Sequence, residues 1–128
     1  MAYYLAKSVS MPFDEAVART TEALKQEGFG IITEIDIRDT LKRKINVDFR
    51  PYRILGACNP ALAHEALQTE DKVGTMLPCN VIVQELAPGR VEVAAVDPVA
   101  SMQAIDNPKL TEKARIVRSK LEGAISRI

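Results

Sequence analysis

Tryptophan is absent, histidine occurs once and cysteine twice in a chain of 128 residues. The lone His64 excludes any site that needs two imidazoles from one chain. Two cysteines with no C-x-x-C pair exclude a four-ligand zinc module. A Ser-His-Asp triad would have to recruit His64, and no G-x-S-x-G turn presents a serine to it, so hydrolase chemistry ranks last. Net charge is lacking as well. Lys+Arg and Asp+Glu both number 17, so no overall field draws the chain toward nucleic acid or an anionic membrane, and neither is expected as a partner. No apolar run approaches the roughly 20 residues of a membrane span. The start, Met1 to Lys7, has neither the basic nor the apolar region of an export signal. Cytoplasmic residence, with both thiols reduced, is the expectation.

What is present fits one globular domain over residues 1–128. Apolar residues make up 47% and charged residues 27%, too apolar for a disordered chain. A chain of this length buries about two-thirds of its unfolded surface and needs no disulfide or metal staple. The charge is unevenly spread: basic residues outnumber acidic ones by three over 36–53 and again over 106–128. Asp39, Asp48, Glu112 and Glu122 are interspersed there, which reads as the solvated sides of two helices rather than a phosphate-binding face.

Periodicity supplies the element order. Tyr3 to Val9 reads as a strand, and Ser10-Met11-Pro12 opens a helix with the stripe Phe13, Ala16, Val17, Thr20 and Leu24, stopped at Gly28. Ile31, Ile32 and Ile35 carry a second strand to Asp36, which caps a short helix bearing Ile37, Leu41 and Ile45. After Pro51, Tyr52 to Cys58 is a third strand, and Asn59-Pro60 starts a helix that turns Leu62, Ala63, Ala66 and Leu67 inward. Asp71 to Pro78 is a loop. Cys79–Leu86 and Arg90–Val96 form a hairpin around a type II turn at Pro88-Gly89. Asp97-Pro98 begins a turn of helix and Asn107-Pro108 the last helix, so three helices open with an Asn or Asp cap followed by proline. The last helix carries Leu110, Ala114, Val117, Leu121, Ala124 and Ile128, four and three apart. That seam lies either on the sheet or against its twin in a dimer. The order β-α-β-α-β-α-β-β-α implies an α+β, two-layer domain with a mostly antiparallel or mixed sheet and helices packed on it.

Cys58 carries the main chemical interest. It ends a strand directly before a capped helix, where unpaired N–H groups favour negative charge, and Gly56 and Ala57 leave room for a ligand. Two readings stand: a reactive or ligand-holding thiol, and a buried space-filler. Cys79-Asn80 repeats the Cys58-Asn59 pair. If strands three and four are antiparallel neighbours, the two pairs share one end of the sheet; a parallel crossover would put them a strand length apart. His64, with Cys58 and Cys79, offers three ligands for zinc or copper, although the spacing matches no finger. Arg50-Pro51-Tyr52-Arg53 offers an aromatic between guanidiniums for an anionic ligand. Gly28-Phe29-Gly30 lacks the third glycine and strand-to-helix order of a dinucleotide loop, and Glu34 and Asp36 read as a solvated strand end.

The runs Gly28–Asp36, Pro51–Pro60, Leu77-Pro78-Cys79-Asn80 and Val93–Pro98 resemble, in order and spacing and over nearly the whole chain, the family catalogued as domain of unknown function 302. The resemblance implies a small bacterial or archaeal α+β domain, often homodimeric, with no established activity. It assigns no catalytic residue. Three functions follow as expectations. The first is a homodimeric binding module for a small molecule or metal, its ligand site formed by Cys58, Asn59, Cys79, Asn80, Tyr52 and Arg53. The second is a thiol-redox protein with Cys58 as nucleophile and Cys79 resolving. The third is an interaction domain that dimerises through its last helix.

Overall fold

The computed structural model describes residues 2–128. Five strands, β1 (Tyr4–Val9), β2 (Gly30–Asp36), β3 (Tyr52–Cys58), β4 (Cys79–Ala87) and β5 (Arg90–Val96), form one sheet. Its order is β1-β5-β4-β3-β2, and every neighbouring pair is antiparallel. The expected α+β class holds, and the choice between an antiparallel and a mixed sheet falls to the former. The helices are α1 (Phe13–Gln26), α2 (Ile37–Ile45), α3 (Pro60–Thr69), α4 (Pro98–Ser101) and α5 (Pro108–Ser126).

The caps act as their sequence implies. Oδ1 of Asp36 accepts the Asp39 N–H at 2.9 Å, that of Asn59 the Leu62 N–H at 3.3 Å, and that of Asn107 the Lys109 N–H at 3.2 Å. Asp97 takes both the Val99 and Ala100 N–H groups. Pro12, by contrast, is itself the N-cap of α1 rather than its first residue. Past the end of that helix, the Gly28 N–H returns to the Lys25 carbonyl. Gly89 sits at φ +75°, the left-handed geometry required at the second central position of a type II turn.

Alternation along the strands decides which side faces the helices. Val81 and Val83 on β4, Val91, Val93 and Ala95 on β5, and Leu55 and Ala57 on β3 are buried together with Ala16 and Leu24 of α1 and Leu121 and Ala124 of α5. The α5 stripe is therefore spent on this chain's own core, the first of the two placements its spacing allowed. Lys7 on β1 anchors the far end of α5 by donating to the carbonyls of Ser126, at 3.2 Å, and Ile128, at 2.6 Å. Asp97, almost fully buried, also accepts from Arg118 Nε at 3.0 Å and so ties the end of β5 to α5.

A second apolar cluster lies between α3, α4 and α5: Ala66, Val73, Met102, Leu110 and Ala114. Val73 reaches it because residues Asp71–Met76, expected as plain loop, wind into a 3-10 turn. Leu67 does not face inward as its spacing suggested. It is 43% exposed, because α3 rests on this turn and on α5 by its Ala66 side.

Candidate functional site

The antiparallel pairing of β3 with β4 sets Ala57 opposite Cys79. Both Cys-Asn pairs therefore share one end of the sheet, and both cysteines line the same cleft. The cleft has a volume of about 250 Å³. Its floor is the Cys58 and Cys79 end of β3 and β4, one wall is α3 through Leu62, Ala63 and Ala66, and the other is α5 through Leu110, Ala114 and Val117. Small residues on the facing helices create it. Ala63 and Ala66 of α3 and Ala114 of α5 line it, and their short side chains leave space that leucines there would fill.

Two local irregularities complete the mouth. A register shift between Ile31 and Thr33 makes Ile32 a bulge residue, 61% exposed and on the cleft. Bulges commonly re-aim a side chain beside a site in this way. Leu77 and Pro78, joined by a cis peptide bond, cross the cleft before β4 begins. Pro78 also fills the space that Gly56 was expected to leave for a ligand. A Cβ on Gly56 would lie 2.8 Å from Pro78 Cγ and 2.0 Å from Thr33 Oγ1. Gly56 therefore serves packing.

The thiols differ in character. Cys58 is half-buried at the mouth, whereas Cys79 is buried. Burial, with a smaller contribution from the charge of Cys58, pushes the Cys79 thiol up from about 9 to about 11. Such a thiol is protonated at neutral pH and a poor nucleophile, which weighs against the resolving role expected of it. Asn59 lines the cleft, and its Oδ1 is already committed to the cap of α3.

The other expected site residues lie elsewhere. Asn80 follows Cys79 on the strand, so it points to the opposite face and is exposed. Tyr52 and Arg53 sit at the far end of β3, roughly 20 Å and 17 Å from Cys58 at strand rise. Arg53 is occupied there. Its guanidinium bonds Glu34 at 3.0 Å, approaches Asp36 at 3.7 Å and covers the Phe13 ring at 5.5 Å. His64 projects from the exposed side of α3 and does not line the cleft. Among the described residues no three of His, Cys, Asp and Glu gather to hold a metal ion, so the set Cys58, His64 and Cys79 is not assembled. The α5 wall, Lys113 included, was missed by the sequence reading, which assigned that helix to a seam. The available signal was the pair of small residues Ala63 and Ala66 at helical spacing on α3.

A family model described as "Domain of unknown function DUF302" matches residues 5–128. The chain belongs to the DUF302 family. A crystal structure of an uncharacterized conserved DUF302 protein from Bacillus stearothermophilus is similar in both fold and sequence. Its TM-score is 0.91 at 30% identity, over 99% of this chain and 98% of that one. No curated protein matches the chain significantly. The DUF302 fold here has no helix long and apolar enough to cross a membrane among its described residues.

Proposed function

We propose that this DUF302 chain is a binding module for a small apolar molecule, held in the cleft between the Cys58 and Cys79 end of the sheet, α3 and α5. One observation carries the reading. Ligand sites are concave and mostly apolar, and here an open cleft of about 250 Å³ is walled almost wholly by hydrocarbon and two thiols. A volume of about 150 Å³ with such walls is enough to hold benzene, so this one suits a ligand of about ten heavy atoms. Cys58 at the mouth adds a polarizable contact and Cys79 closes the floor. Two free thiols suit a reducing compartment such as the cytoplasm.

The test is a titration with 1-naphthol followed by amide chemical shifts. Saturable shifts clustered on residues 58–66, 77–79 and 110–117 are expected, and Ala63→Phe, which fills the cleft from α3, should remove them. Shifts that never saturate, or that survive A63F unchanged, overturn the reading.

A further inference from the structure

We infer that the natural ligand of this cleft is an amphiphile with an anionic head, of the class of medium-chain carboxylates, its head met by Lys113; this rests on the binding-module reading. Lys113 is the one formally charged residue among those that line the cleft. It stands on α5 one residue before Ala114, it lines the cleft, and its side chain is 26% exposed. Nζ meets Glu65 Oε2 at 3.3 Å, and the Glu65 side chain is 54% exposed.

An ion pair that open to water contributes little, so an incoming carboxylate displaces Glu65 at small cost. The reverse polarity is not served. Glu65 lies outside the lining, and nothing acidic faces the interior to receive an ammonium head. Volume sets the tail. By proportion to a benzene-sized cavity, about ten carbon atoms fit. The ligand chemistry that matches hydrocarbon walls, a single cation at the rim and this volume is a straight or branched acyl chain of about eight to ten carbons ending in a carboxylate.

The experiment is isothermal titration of the full chain at pH 7 with butanoate, hexanoate, octanoate, octanol and octylammonium. Affinity should rise about threefold to fourfold per added methylene, the factor expected for burying each CH₂, up to octanoate. Octanoate should bind about tenfold tighter than octanol. Lys113→Gln should erase that advantage and leave octanol unchanged. Glu65→Gln, an exposed change, should leave octanoate binding within about twofold of wild type or slightly tighter, because the pair it removes contributes little. Equal binding of octanoate and octanol, or octylammonium binding tightest, overturns the head-group inference while the cleft reading stands. If 1-naphthol and every one of these probes fail to bind, the cleft reading itself falls. If 1-naphthol binds and octanoate does not, only the inference falls.

Discussion

Alkaline pH should destabilise this protein through a single buried thiol. Cys79 gives up its proton near pH 9 in the unfolded chain and near 11 in the folded one, because its burial penalises the thiolate. The folded state thus binds the proton more tightly. Its contribution to stability is complete below about pH 9 and is lost as pH rises through about 11. A separation of two pH units corresponds to about 3 kcal/mol, with roughly half of it gone at pH 10. That is a large part of the roughly 5–15 kcal/mol available to an ordinary domain. Tyrosines and lysines also titrate in this range, so the informative quantity is a difference. Urea unfolding of wild type and Cys79→Ala, measured at half-unit steps from pH 7 to 11, isolates the thiol. Cys79→Ala should cost stability at pH 7, because it shortens a buried side chain, and wild type should lose about 2 kcal/mol relative to the variant by pH 11. Parallel curves across the whole range would show that the sulfur is not held in a water-poor setting, and the closed floor of the cleft would go with it.

Three further outcomes test the fold that builds the cleft. Gly56→Ala should cost about 1–3 kcal/mol, a fall of about 1 M in the urea midpoint, since its methyl meets Thr33 and Pro78. Thr33→Ala should recover part of that loss, and strict additivity of the two changes would contradict the contact. Asp97→Ala should lose about 1–2 kcal/mol through the cap of α4 alone, with Asp97→Asn nearer to wild type because it retains the accepting oxygen; equal midpoints for the two variants would refute this. Leu121→Glu should unfold the chain, at about 4 kcal/mol or more, instead of yielding a folded monomer. A native circular dichroism spectrum for that variant would return the α5 stripe to the role of an intermolecular contact.

Much of the architecture was legible because it is written in local chemistry. An Asn or Asp followed by proline can do little but start a helix, and three such pairs do. Alternating valines in β4 and β5 around Pro88-Gly89 can do little but form a hairpin. The cleft was half-legible. Cys58, Cys79 and Asn59 stood out by residue type, whereas Ala63, Ala66, Ala114 and Lys113 are individually unremarkable and acquire meaning only when two helices face each other. Tyr52 and Arg53 lie apart from the cleft for a related reason. They share a strand with Cys58, but a strand is long, and proximity in sequence along it is distance in space.

The residues alone determined the class of the domain, its helix starts, its hairpin and its family, because each rests on backbone preferences or on a contiguous motif. Only the tertiary structure decided that β3 and β4 run antiparallel and bring two cysteines to one end, that His64 turns away to solvent, and that α5 spends its apolar stripe at home. Those outcomes depend on contacts between residues far apart in the chain, and no local pattern encodes which of the available pairings buries the most hydrocarbon.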